Sequence, residues 1–421
     1  MRKIQLSELR FEDLHRPNEV ISWPQGPGEP LALTERLIEQ GPALSSPALC
    51  FGLTQSDTLR PELANHFRFI PLNGAGTSRR VAAFADIIPR HISTVPALLR
   101  SGLLRVDIAL IKIRPVSDGF SLGVIADFTR ALIQQARLVI ALVNPSLPAT
   151  GGDTFVHPDD IDLLVDGDHR LIDMPDPLPS SVEREVARRV AELIPDRATV
   201  QLGIGTLPVA VAHALSDHRD LGAHSGVVSD SLVKLVELGV FTNAFKGIDS
   251  GLTVTGGLFG TDRLRDFAER TKLIAMRSAD YTHDLGVTSM LSQFHTVNSV
   301  IEIDLSGQAN AEMAGGRYLG AVGGLVDFVR ADAASKGGHS ILAFPSTTPD
   351  GRHSRIVASL GDRPVTVPRS DVDIVVTEYG SAHLRGSSST QRAKRLMAIA
   401  HPAHREALAR ALQDSCAAAP L

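Results

Sequence analysis

The residues best suited by type and spacing to do chemistry lie in the second half of the chain. Ala198-Thr199-Val200-Gln201-Leu202 reads as a strand, and Gly203-Ile204-Gly205-Thr206-Leu207-Pro208 follows it before a helix-prone stretch over 209–215. A strand that runs through glycines into a helix N-terminus offers free backbone N–H groups and a partial positive charge. That combination suits a phosphate or an oxyanion. A plain tight turn at a sheet edge has the same pattern, so both readings stay open. The dinucleotide fingerprint needs a third glycine where Pro208 stands, which disfavours NAD binding. His224-Ser225 has the residue types of a hydrolase pair. Neighbours on a strand point to opposite faces, however, so the two are poorly placed to share a proton. Cys50 and Cys416 are too far apart to suggest a disulfide framework and lack zinc-site spacing, so no metal is expected.

The elements that must position these groups alternate between short apolar runs and amphipathic stretches. Residues 106–113 are rich in β-branched side chains and end at Arg114-Pro115, which predicts a buried strand. A helix over 128–135 and a second strand over 138–143, ended by Asn144-Pro145, complete a strand–helix–strand unit of a parallel α/β sheet. Met174-Pro175-Asp176-Pro177-Leu178-Pro179-Ser180-Ser181 predicts a linker, because its prolines can continue neither a helix nor a central strand. Ser180 and Glu183 then have capping-box spacing, and Val182, Val186 and Val190 share one helical face. The expected division is therefore a domain over 1–180 and another over 181–421. No short-period repeat suggests a solenoid.

Composition narrows the class of function. Hydrophobic residues at 43% and charged residues at 21% are ordinary for a soluble globular protein, and 421 residues suit two domains. A net charge of -5 gives no reason to expect nucleic acid or an anionic membrane as partner. The N-terminus lacks an apolar signal core, and runs such as 138–143 are far shorter than the ~20 residues that span a bilayer. A soluble cytoplasmic protein is expected.

Six ordered motifs add a more specific signal. They are Leu202-Gly203-Ile204-Gly205, Asn298 to Gln308, Gly323-Gly324-Leu325-Val326-Asp327-Phe328, Ser335-Lys336-Gly337-Gly338, Ser354-Arg355-Ile356-Val357, and Val376-Thr377-Glu378-Tyr379-Gly380 continuing to Leu384-Arg385-Gly386. Together they resemble the acetyl-CoA hydrolase / 4-hydroxybutyrate CoA-transferase family, the class I CoA-transferases. Gly28-Glu29-Pro30, Arg100 to Leu104 and Gly151 to Phe155 extend the resemblance into the first half. It implies an α/β protein with two open α/β domains and the active site between them. It also implies movement of CoA from an acyl-CoA to a carboxylate through a glutamyl thioester, with backbone N–H groups stabilising each oxyanion. Coenzyme A would be substrate or product, with no permanently bound cofactor, and relatives are commonly homodimers. By position, Gly203, Ile204, Gly205, Thr206 and Leu207 look like the CoA-binding loop. Gly324 looks like the oxyanion glycine, and Gly320 and Lys336 resemble further CoA contacts. A strand turn is the alternative for the glycines, and a solvated loop cation for Lys336. Glu378 sits in the motif near the family's reacting carboxylate.

The same resemblance exposes two departures. The family's nucleophilic glutamate falls in the window Leu221-Gly222-Ala223-His224-Ser225-Gly226-Val227-Val228-Ser229-Asp230, where its position reads Gly226. Glycine can form neither an anhydride nor a thioester. His283 stands where many relatives carry asparagine, and histidine can act as a general base near neutral pH. Glu302 is a substitute carboxylate by type, but 300–305 reads as a strand beside the nucleophile; Asp230 reads as a helix-start residue. The leading expectation is an acyl-CoA transferase or hydrolase, with Gly226 favouring hydrolysis by a water that His283 or Glu378 activates. The alternatives are a catalytically silent CoA-binding protein and, third, carbon–carbon cleavage of a CoA-linked diketone.

Overall fold

The computed structural model describes residues 1–417. In the first half, seven strands form a parallel sheet in the order Arg2–Gln5, Leu163–Asp166, Leu138–Val143, Ile108–Val116, Val20–Trp23, Ala48–Phe51, Arg68–Phe69. Side chains alternate across it. Ile108, Leu110, Ile140 and Leu142 enter one core, while Ala109, Ile111, Ile113, Val139 and Ala141 enter another on the opposite face. Burial on both faces explains why the two central strands over 108–113 and 138–143 read as near-continuous apolar runs, interrupted only by the buried Lys112.

The strand read over 106–113 starts two residues later and runs on to Val116. Its parallel pairing with Leu138–Val143 does end at Ile113. Beyond that point the chain leaves the sheet and pairs antiparallel with Gly119–Ser121, so Pro115 lies in a peripheral hairpin and costs the central ladder nothing. The helix read over 128–135 spans Thr129–Gln135.

After the proline-rich segment, helix Ser181–Ala191 starts as its sequence dictates. Ser180 Oγ accepts from Glu183 N–H at 3.2 Å, and Glu183 accepts from Ser180 N–H at 2.8 Å. Val186 and Val190 are fully buried, but Val182 is 40% exposed, so the apolar face begins one turn later than its spacing implied. A second sheet follows in the order Ile274–Met276, Thr253–Thr255, Gly222–Ser225, Thr199–Leu202, Phe294–Asn298, His339–Ala343, Ile374–Thr377, Gly380–His383, parallel except for its last strand. The run read as a strand over 300–305 contributes Glu302–Asp304 to a separate three-stranded sheet.

Each large sheet has a point where consecutive strands leave in opposite directions: Val20–Trp23 in the first and Thr199–Leu202 in the second. Ligands of open α/β sheets bind at the carboxyl ends of such strands. Direct contacts bolt the two halves together around these points. Ser93 Oγ donates to Asp327 at 2.7 Å, Arg100 pairs with Asp280 at 2.7 Å, and Gly74 N–H donates to the Gly320 carbonyl at 3.0 Å. Among the described residues, no helix is long and apolar enough to cross a membrane. Cys50 is free and buried, and the Cys416 side chain lies outside the described residues.

The capping box is the main local device fixing the start of helix Ser181–Ala191. Ser180→Ala is expected to lower stability by about 1 kcal/mol in denaturant unfolding.

Candidate functional site

A cavity of about 310 Å³ lies between the two switch points. Gln25 and Leu53 reach it from the carboxyl ends of first-sheet strands, and Gly203, Ile204 and Gly226 from those of the second. Its other walls are mostly apolar, with Leu72, Ile92, Val95, Phe259, Leu325 and Phe328 among them.

The geometry at Gly226 is set by His283. A Cβ built on Gly226 would lie 2.6 Å from His283 Cε1 and 2.8 Å from Nε2, and one on Gly324 would lie 2.4 Å from Nε2. Neither glycine has positive φ, so occupied space, not backbone conformation, keeps both without side chains. The His283 ring thus fills the gap between them, packed on Phe328 with ring centroids 4.4 Å apart. It hangs from the end of helix Ala279–Thr282, which is fixed to the first half by the Ala279 N–H bond to the Asp127 carbonyl at 2.7 Å.

Burial, with the nearby His224 as a lesser cause, lowers the His283 pKa to about 3, so the imidazole is neutral at working pH. Its Nδ1 lies 2.8 Å from Thr282 Oγ1, which also reaches the Ser278 carbonyl at 3.3 Å. The threonine has one hydroxyl proton. Both bonds form together only when that proton goes to Ser278 and Nδ1–H donates to Thr282, an assignment made from the network. Nε2 then carries a lone pair and faces the cavity between the two glycines.

Gly323-Gly324 leads into helix Leu325–Ala334, whose first N–H groups have no partner within the helix. The Gly324 amide is therefore available to a carbonyl oxygen beside His283 Nε2. The glycine loop is built as its spacing suggested. Gly203 and Ile204 line the cavity, and Gly205 has φ 112 and ψ -178, a conformation essentially restricted to glycine, as the N-cap of helix Thr206–Ala214. Thr206 is tied to Glu183, and Leu207 is 4% exposed in the core, so Leu207 supports the loop from below.

Other residues singled out by sequence fall elsewhere. Gly320 has a packing role, since a Cβ there would lie 2.0 Å from the Ala311 carbonyl oxygen. Lys336 is exposed just past the C-terminus of the helix that Gly324 precedes, about 15 Å along its axis and away from the cavity. Glu378 accepts from Ser346 N–H at 2.8 Å and Ser346 Oγ at 2.6 Å, outside the cavity lining. Glu302 accepts from Asn310 at 2.8 Å, pairs with Arg363 and lines a different groove. His224 and Ser225 do point apart: His224 Nε2 meets the Thr282 carbonyl at 3.0 Å, whereas Ser225 Oγ donates to the Leu202 carbonyl at 2.6 Å. Asp230 opens helix Asp230–Glu237 and accepts from Thr261.

Sequence reasoning missed Asp127, Gln25 and the Gln201–Asn298 pair, all lining the cavity. Asp127 is 5% exposed, and burial raises its pKa to about 6. Its Oδ1 caps Thr129, accepting from N–H at 3.0 Å and from Oγ at 2.8 Å. The aspartate two residues before a helix-start threonine was a readable capping signal, but nothing local marked it as a cavity residue. No group of three metal-ligating side chains occurs among the described residues.

Comparison with known proteins agrees with this architecture. The family model described as the acetyl-CoA hydrolase/transferase N-terminal domain matches residues 74–174, and its C-terminal counterpart matches 260–412. The chain is 40% identical over 351 residues to the 4-hydroxybutyrate coenzyme A transferase of Clostridium kluyveri, covering 82% of each chain. Among solved structures it superposes on RipA from Yersinia pestis with a TM-score of 0.91 at 30% identity, covering 98% of this chain and 97% of that one. The 4-hydroxybutyrate CoA-transferase from Porphyromonas gingivalis gives 0.84 at 31% identity, covering 98% of both. The chain belongs to the acetyl-CoA hydrolase/transferase family.

Two outcomes follow for stability. Gly226→Ala is expected to cost roughly 1–3 kcal/mol by overpacking against His283. The cost should vanish in a His283→Ala background, which a double-mutant cycle of unfolding free energies checks. Asp127→Asn keeps an oxygen for the Thr129 cap and removes a buried charge. The raised carboxyl pKa means that wild type binds its proton more tightly when folded, and loses stability as pH rises from about 4 through about 6. The variant should therefore be more stable than wild type at pH 7.5, by on the order of 3 kcal/mol, with the advantage gone below pH 4.

Proposed function

We propose that this protein cleaves the CoA thioester of a small carboxylic acid by hydrolysis, within a chain divided near residue 180 into two domains, without the enzyme-bound glutamyl thioester expected of a CoA-transferase. The observation that carries the reading is the His283 imidazole filling the space a side chain at Gly226 would need. No carboxylate at 226 can coexist with that ring in place.

In this reading CoA enters along Gly203 and Ile204, and the thioester carbonyl accepts from the Gly324 N–H. A water beside Nε2 gives its proton to His283 as its oxygen attacks the carbonyl carbon. The oxyanion collapses, the carbon–sulfur bond breaks, and the proton passes from His283 to the departing thiolate. Burial keeps the imidazole unprotonated in the resting site, and negative charge developing beside it raises its basicity as the reaction proceeds. Lys336 and Glu378, outside the cavity lining, take no part.

The test is incubation with acetyl-CoA and other short acyl-CoAs, with and without acetate or succinate. Free thiol should appear at the same rate without acceptor, and mass spectrometry should find no glutamyl-CoA adduct. Strict acceptor dependence, or such an adduct, would contradict the proposal. Binding of CoA with no turnover of any thioester would favour a silent CoA-binding protein. His283→Asn should lower kcat by roughly 10²–10⁴-fold with KM little changed.

A further inference from the structure

The proposed hydrolysis leaves one proton unplaced. The attacking water brings two: one reaches the thiolate through His283, and the other stays on the new carboxylic acid, which ionises at neutral pH. That acid forms in a mostly apolar cavity, and His283, its pKa lowered to about 3, cannot keep a proton. Another group must carry the proton out.

Asp127 stands where such a group is needed. Its N–H donates to the Gly256 carbonyl at 3.2 Å, and Gly256 N–H donates to the Gly226 carbonyl at 3.0 Å. Behind the cavity wall at this point lies a second, polar cleft of about 190 Å³, with the exposed Arg100, Gln134 and Asp280 along it. The wall between the two spaces is thin. Val95 lines the cavity and Pro96 the cleft; Ala279 lines the cavity, and its neighbours Ser278 and Asp280 the cleft. Asp127 lines both, alone among the described residues.

Its carboxyl is also more than the Thr129 cap requires, since an asparagine oxygen would serve there. The Gln25 side chain, oriented by the bond from Leu53 N–H to its Oε1 at 3.2 Å, holds the carboxyl by a further hydrogen bond. The titratable and charged side chains that share the two spaces with it are Arg90 and His283 in the cavity, and Arg100, Arg130, Asp153 and Asp280 in the cleft. Burial, rather than any of these charges, raises its pKa to about 6. A value near working pH suits a group that must both take up and give up a proton.

We propose that Asp127 is the proton exit of the site, taking the proton of the newly formed acid from the cavity and releasing it to water in the cleft. The inference rests on the hydrolysis reading and adds the group that clears the site after each turnover. The O–H bond of the product acid breaks as its proton passes to the Asp127 carboxylate, which leaves a product carboxylate. Asp127 then gives the proton to cleft water, and its restored charge repels the product from the cavity. Movement of CoA between two carboxylates releases no net proton, so such an exit has work only in hydrolysis.

The test records loss of thioester ultraviolet absorbance and proton release to a pH indicator together in stopped flow, on the short acyl-CoA that wild type hydrolyses fastest. In wild type the two signals should coincide, and kcat should rise with pH through about 6 and then level, because only the carboxylate accepts. In Asp127→Asn the first turnover should lose thioester at nearly the wild-type rate, with proton release delayed about tenfold or more. Its kcat should fall to match while kcat/KM, which reports steps only up to thioester cleavage, changes little, and the limb near pH 6 should vanish. Coincident signals in this variant, or an unchanged limb, would overturn the inference and leave the hydrolysis standing. If the melting temperature shows that Asp127→Asn is misfolded, Gln134→Trp decides, since it fills the cleft from the solvent side: a delayed proton supports the exit and coincident signals overturn it. If wild type turns over no thioester, or cleaves it without releasing a proton, the hydrolysis reading fails and the exit falls with it.

Discussion

The contact on which the site depends is the wedge of the His283 ring between two glycines from different parts of the second half. Gly226 follows one strand of the sheet and Gly324 precedes a helix, and the ring approaches both more closely than any side chain on either would allow. That one packing arrangement fixes three things. It removes the room for a carboxylate at 226, it aims Nε2 at the cavity, and it puts the lone pair beside the Gly324 amide. Protein interiors are dense enough that such a wedge leaves little freedom to shift, so the geometry is preorganised.

The wedge in turn needs both halves of the chain. The helix carrying His283 is held through Ala279 by the Asp127 carbonyl, and Asp127 belongs to the first half. The cavity is therefore a property of the assembled molecule. Its second-half wall offers backbone amides and glycines, suited to a thioester, while its first-half wall offers apolar side chains together with Gln25, Asn73, Arg90 and Asp127. Each sheet brings its switch point to the same space, so the two α/β units share one site.

Local features were legible in the sequence. The strand over 138–143 is where its apolar run placed it, because burial on both faces leaves no ambiguity. The capping box at Ser180 and the glycine loop at 203–205 are likewise set by neighbouring residues. What sequence did not show depends on distant packing. Gly226 and His283 could be singled out separately, but not seen to compete for the same space. Lys336 is only twelve residues from Gly324, yet the helix between them carries it to the opposite end of the strands, where its carbonyl accepts from the Gln293 N–H. Glu378 sits at a strand end like the site residues, but in a strand remote from the switch point. Asp127 was missed because one oxygen does the ordinary work of a cap, and only the fold brings its carboxyl to the cavity beside Gln25.

The most direct measurement is a crystal structure of the protein bound to a non-hydrolysable thioether analogue of a short acyl-CoA that retains the carbonyl. The account predicts the carbonyl oxygen within hydrogen-bond distance of the Gly324 N–H, and its carbon facing His283 Nε2 over Gly226. An acyl carbonyl bound away from Gly324, or a His283 ring displaced from between the two glycines, would contradict it.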